Sequence, residues 1–243
     1  MALISQGFPG VFAGKAQEAF VRYGEMLMAD GWKFPSAKTD DVSGKYPLLS
    51  GKYSVHVYEI AAMTIAYFYR QGMEPLEAVQ KTFTELPEEA GSVAVFRKHP
   101  GKLFYATTNQ SVVAARCCGG VMMSVSAMAF PTDNFMQLPV NSCGMISADE
   151  IVIRELSGGY TVDETIPDGL DEAFLETLEQ IQPNGIARVC DAGLKQLFPS
   201  GVMQCCQIST YRTAERLLKA KKITAETYLD EKENWRRTVF RKS

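Results

Sequence analysis

Six cysteines and two histidines are the side chains best suited to nucleophilic or metal chemistry in this chain. Their spacing supports little of either. Cys117-Cys118 and Cys205-Cys206 are vicinal pairs, Cys143 and Cys190 stand alone, and no CxxC occurs. His56 and His99 are far apart, so a structural zinc site is not expected, nor any other metal or cofactor. Even cysteine counts suggest disulfides, but vicinal pairs without a secretory signal read as reduced thiols packed as small hydrophobes. Any Cys–His or Ser–His dyad must use His56 or His99. His99, beside Pro100-Gly101, reads as solvated in a hairpin turn. His56, at a helix start, is the one histidine able to meet a strand thiol such as Cys117. Cys117-Cys118-Gly119-Gly120 spells a thiol-bearing turn, although packing beside a hairpin is the plainer reading. Thr107-Thr108-Asn109 offers polar groups to a ligand, or simply makes a turn. Asp40-Asp41 offers carboxylates to an amine. Lys219, Lys221 and Lys222, with Arg236-Arg237, offer charge to an acidic partner. For both groups, solvated acids and a helix end complementing its dipole are the plainer readings.

The elements that must position these residues follow from periodicity. Residues 15–30 place Ala19, Phe20, Tyr23, Met26 and Leu27 on one helical face, with Gly31 as the C-cap. Pro35 to Lys52 reads as a long loop or a pair of turns. Residues 56–71 form a helix apolar nearly all round, which predicts burial. Pro75 opens a shorter helix through Leu86. From Gly91 the texture changes to short runs rich in Val, Phe, Tyr and Thr, separated by turns. These predict an antiparallel meander that continues through Asn141–Met145 and Glu150–Leu156, with a Gly158-Gly159 hairpin into Tyr160-Thr161-Val162. Helices are predicted again from Asp171, at 186–198 and at 207–222. A last one is capped by Thr224 and carries Tyr228, Leu229 and Trp235. Helices, then strands, then helices predict an α+β fold.

The chain has 243 residues and a net charge of -3, which suggests one large domain or a domain with an appendage. That charge gives no reason to expect a nucleic-acid partner. No apolar run reaches the length of a membrane span, so no membrane association is expected. The N-terminus lacks the basic and apolar regions of a signal peptide, and the expected location is cytoplasmic.

The segment from Glu59 to Pro131 resembles the second half of a class II glutamine amidotransferase domain of the glucosamine-6-phosphate synthase (glutamine–fructose-6-phosphate aminotransferase) type. The matching residues are Gln71-Gly72, Glu77-Ala78-Val79, Gly91-Ser92-Val93-Ala94-Val95, Leu103-Phe104-Tyr105-Ala106, Gln110-Ser111-Val112-Val113, Met123-Ser124 and Ala129-Phe130-Pro131. Residues 20–34 are similar to the family helix that precedes a Ser-x-Thr-Asp-Thr-Glu motif. Two placements of that motif compete: Ser36, Thr39 and Asp40, or a register anchored on Glu59. The second keeps the buried helix aligned and is preferred, although it puts Val57 where the family has an amine-binding aspartate. The resemblance, about residues 20–131, implies the αββα sandwich of N-terminal nucleophile hydrolases. It divides the chain into an amidotransferase-like domain at 1–165 and a C-terminal helical extension at 166–243, packed on it.

The resemblance stops short of the family's chemistry. The class II mechanism uses an N-terminal cysteine whose own α-amine is the base. Position 2 is Ala2, and the first cysteine is Cys117. The arginine clamp and the asparagine oxyanion donor have no counterpart either. No catalytic residue is therefore assigned. Thr107, Thr108, Asn109 and Ser124 are the candidate ligand-binding positions. The expected function is a non-catalytic amidotransferase-like protein that binds a small polar metabolite (amino acid or sugar phosphate) or a partner protein. The alternative is an enzyme of glutamine or amino-sugar metabolism with altered chemistry, or with a catalytic segment supplied by another chain. Aromatic Tyr228, Trp235 and Phe240 in an otherwise polar segment suggest a homo-oligomer.

Overall fold

A computed structural model describes residues 1–7, 15–39, 46–86, 90–108, 110, 112–117, 119–127, 130, 134–157, 166–181, 189, 194–198, 203–230 and 235–243. The fold is α+β, and every strand pairing among the described residues is antiparallel. Contacts divide the chain into two units: Met1–Val125 with Met136–Tyr160, and Ser126–Phe135 with Thr161–Ser243. No described helix is long and apolar enough to cross a membrane.

The first unit is built in layers. Helices α2 (Val57–Arg70) and α3 (Pro75–Glu85) cover one face of a five-stranded sheet, and α1 (Lys15–Ala29) packs against α2. That sheet runs β1 (Ala2–Gly7), β4 (Ala90–Val95), β5 (Leu103–Thr108), β9 (Ser142–Ile146) and β10 (Ile151–Glu155). A three-stranded sheet of β7 (Gly120–Ser124), β6 (Val113–Cys117) and β8 (Met136–Gln137) lies on the other face. A short hairpin, β2 (Leu48–Leu49) with β3 (Tyr53–Ser54), begins within the segment read as a loop or pair of turns and closes just beyond it.

Side-chain alternation explains the layering. Phe104 and Ala106 pack toward the helices, whereas Tyr105 packs toward Val112, Ala114 and Leu138. A strand buried on both faces needs cover on both. The chain therefore leaves the large sheet after β5, builds the small one, and returns as β9 and β10. This corrects the reading of one continuous meander. It also adds β1, which periodicity did not indicate. As expected, α2 buries Val57, Ile60, Ala61, Thr64, Ile65 and Phe68. Gly31 ends α1 as expected too: its φ is +83°, Gly31 N–H donates to Met28 O and Trp32 N–H to Leu27 O, both at 3.0 Å. That pair of bonds is a Schellman motif.

The second unit has its own core. Leu170, Phe174 and Leu178 of α4 (Leu170–Gln180) meet Ala214 and Leu217 of α5 (Met203–Lys219). Ile223 and Phe240 complete that core from a hairpin of β11 (Ile223–Asp230) and β12 (Trp235–Lys242). The hairpin corrects the reading of a final helix. Thr224 and Glu226 imitate a capped helix start, but eight cross-strand pairs form from Ile223↔Lys242 to Asp230↔Trp235. Phe240 is buried against Phe174, with ring centroids 6.3 Å apart, so it is core and not an external face. Of the segment read as a helix at 186–198, the described part includes a 3-10 turn at Lys195–Leu197. The expected Gly158-Gly159 hairpin and Asp40-Asp41 lie outside the described residues.

Candidate functional site

The two sheets of the first unit share one end. Register puts Gly7, Ala90, Thr108, Thr107 and Ser142 in line at that end of the large sheet. Val113, Ser124 and Gln137 are in line at the end of the small one. Gly91 brings the layers together there. A Cβ on Gly91 would stand 3.0 Å from Val112 Cγ2 and 3.5 Å from Val125 Cγ1. Two strands across the sheet, on β9, a Cβ on Gly144 would meet the Val152 carbonyl oxygen at 2.1 Å and the Tyr105 ring at 2.5 Å. The missing side chain lets that ring lie across β9, and its hydroxyl reaches Ser142 Oγ at 3.2 Å. Burial pushes the Tyr105 phenol above its ordinary value, with the Ser142 bond opposing.

Buried polar residues collect at this end: Ser92, Thr107, Thr108, Gln110 and Ser142. Most of their hydroxyls are answered by protein. Ser92 Oγ pairs with Ser5 Oγ, Thr107 Oγ1 donates to the Gln110 carbonyl, and Ser142 Oγ donates to the Pro139 carbonyl at 2.6 Å. Thr108 is different. It is 1% exposed, and its Oγ1 has no hydrogen-bond partner among the described residues. Buried threonines on helices solve this problem locally. Thr64 and Thr82 donate to the carbonyls of Ile60 and Ala78 at 2.8 Å. A strand offers no such bond, because the extended backbone carries the carbonyl four residues back out of the hydroxyl's reach.

The structure thus gathers Thr107, Thr108 and Ser124 at one end of the layered sheets. It does not point them at one place. Adjacent strand residues face opposite sides, so Thr107 faces the small sheet and Thr108 the helices. Ser124 is half-buried at the end of β7, and Asn109 lies outside the described residues. Sequence reasoning did not single out Tyr105, Ser142, Gly91 or Gly144 as parts of this end. Gly91 and Gly144, interrupting strand texture, were the available signal.

The groups suited to nucleophilic chemistry are placed elsewhere. Ala2 pairs with Val95 inside β1. Cys143 is buried on the helix-covered face, and burial raises its thiol to about 11, against the pull of Arg154. Cys117 ends β6, and its thiol contacts Met122 Sδ at 3.2 Å. His56 caps α2, its Nδ1 accepting the Tyr58 N–H at 3.3 Å. Burial lowers the His56 pKa, and the Glu59 carboxylate partly restores it. The ring stands by the helix layer while Cys117 belongs to the small sheet, with the large sheet between them. His99 is not a free turn residue. Its Nε2 meets Tyr69 Oη at 3.2 Å, and the ring packs edge-on to Phe96 and Phe104.

The two competing motif placements meet in space. Ser36 N–H donates to Glu59 Oε2 at 3.1 Å, its hydroxyl donates to the same oxygen, and His56 N–H donates back to Ser36 Oγ at 3.1 Å. This clip fixes the entry to α2. Among the described residues, no group of three or more His, Cys, Asp or Glu side chains is arranged to hold a metal ion.

No protein-family model matches the chain. No curated protein matches it either. Among solved structures it is similar to a glutamine phosphoribosylpyrophosphate (PRPP) amidotransferase from B. subtilis, complexed with ADP and GMP. The identity is 10% and the TM-score 0.47, over 95% of this chain and 47% of that one. The chain therefore spans about half the length of that structure.

Proposed function

We propose that the chain is a non-catalytic protein with an amidotransferase-like αββα fold that binds a small polar metabolite, an amino acid or a sugar phosphate. The site is the Thr108 end of the large sheet in the first unit, on its helix-facing side. The observation that supports this reading is the Thr108 hydroxyl, sealed from water and unanswered by any described residue. An unpaired buried hydroxyl costs about 1–3 kcal/mol, and a ligand that pairs it recovers that amount. Cys143, buried on the helix-covered face with its thiol raised to about 11, supports a binding role over amide hydrolysis. A cytoplasmic location and self-association belong to the same reading.

The test is a thermal-shift screen of amino acids, amides and sugar phosphates, on the wild type and on Thr108→Val. At least one compound should raise the wild-type Tm and raise that of the variant less. If none does, the metabolite reading is lost. Ammonia release from glutamine should stay at the buffer level. Turnover that disappears in Cys117→Ala or His56→Ala would replace this reading with the enzyme one.

A further inference from the structure

Among the described residues the five-stranded sheet ends in two edges with no further strand beside them, β1 and β10. On β10, Ile151 and Ile153 are 43% and 42% exposed and share one face of the sheet. The small sheet packs on β4, β5 and β9 through Val93, Tyr105 and Ile146, leaving those two isoleucines beside it in solvent. Ser147 N–H donates to Glu150 O at 2.9 Å, and Leu156 N–H to Asn141 O at 2.8 Å. These bonds set the alternation. Glu150, Val152, Arg154 and Leu156 turn their backbone groups toward β9. The N–H and C=O of Ile151 and Ile153 therefore point out of the sheet.

The stretch Glu150-Ile151-Val152-Ile153-Arg154, the residue before β10 and the first four of the strand, has its apolar residues symmetric about Val152 and its charges opposite at the two ends; Glu155, the last residue of β10, lies beyond the symmetric stretch. We infer that β10 pairs antiparallel with β10 of a second copy, about a two-fold axis at Val152. In that register Ile151 opposes Ile153 of the second copy, and the reverse. Four backbone hydrogen bonds form between the outward groups. Glu150 of each copy opposes Arg154 of the other, on the face opposite the isoleucines. Asp149 lies in the bend before the strand, outside the pairing.

A register one residue either way loses these matches, because side chains alternate faces with period two. Pairing β10 with β1 of another copy is the competing arrangement. It leaves free edges on both partners and extends into a filament, whereas self-pairing closes. β1 carries no charged residue to specify a register, and its Ile4 is 77% exposed. The inference gives the self-association of the preceding reading a surface. Its failure leaves the metabolite site untouched.

Sedimentation equilibrium of the full chain tests it. The wild type should be a dimer that dissociates on dilution. Ile153→Lys, at an exposed position, should weaken it by ~10-fold or more. Arg154→Glu sets like charges opposite one another twice and should weaken it by about 10-fold. Adding Glu150→Arg restores opposite charges at both places and should restore the dimer. A wild-type monomer at every concentration overturns the inference, and β10 amides protected from exchange in that monomer would put the chain's own following segment on this edge. A dimer indifferent to the charge reversal, or one lost only with Ile4→Lys, overturns it equally.

Discussion

Gly144 and Tyr105 form a matched pair in which the absence of one side chain makes room for the other. A methyl at Gly144 has no direction in which to yield, because one of its neighbours is the Val152 backbone oxygen at 2.1 Å. Gly144→Ala should therefore destabilise the first unit by about 3 kcal/mol, the upper end of the usual overpacking cost, seen as a lower urea midpoint. Gly91→Ala meets the tip of Val112 instead, which can move, and should cost less. The polar character of Thr107 and Thr108 was legible in the sequence. Their division between two faces follows from strand alternation once β5 is placed. What could not be read was which hydroxyl lacks an answer, because each answer comes from a loop carbonyl or a neighbouring strand.

At the scale of elements, the helices were legible because their signals are local. Gly31 and Gly72 both adopt positive φ just beyond a helix end, where a left-handed residue is needed. The Thr224 capping signal was equally local and misleading. Non-local pairing of β11 with β12 outweighed it, as tertiary context does with weak propensities. The start of α2 supplies a pH prediction. His56 accepts the Tyr58 N–H at Nδ1, so the cap needs the neutral ring. Its folded pKa lies below 6.5, and the unfolded chain then binds more protons in the window between the two. Stability from this cap should be complete above about pH 6.5 and lost as pH falls through the folded value. His56→Asn keeps a side-chain acceptor without the titration and should remove that slope in urea midpoints measured from pH 7 to 5. A slope unchanged by the substitution would assign it to another group.

At the scale of the whole molecule, each unit has its own apolar core, and the second is assembled from two stretches of chain. Glu215 on α5 joins those stretches. Its Oε1 accepts the Ser126 hydroxyl at 2.9 Å and the Ala127 N–H at 2.6 Å. Burial raises its pKa, while those two bonds and Arg212 pull it back. A folded carboxyl with a raised pKa gives stability below its unfolded value, and that contribution is lost as pH rises through the folded one. At neutral pH the buried charge is thus a liability that its hydrogen bonds offset. Glu215→Gln keeps the acceptor and removes the charge. It should leave neutral-pH stability equal or up to about 1 kcal/mol higher, and flatten its dependence between pH 4 and 7. Glu215→Ala strands two donors and should cost about 1–3 kcal/mol, read as faster amide exchange in α5. The division into helical and strand-rich stretches was legible from texture. The join was not, since nothing local marks a glutamate as the partner of a serine 89 residues earlier.

That separation has a consequence for the order of events at the ribosome. Ser126 and Ala127 leave the exit tunnel long before Glu215 is translated. At roughly 5–20 residues per second, they wait several seconds for the side chain that will hold them. Strands β8, β9 and β10 are synthesised within that interval, so the first unit has all its strands before the second can close. Ser126 and Ala127 are carried through a nascent protein undocked, and the last helix to emerge is what captures them.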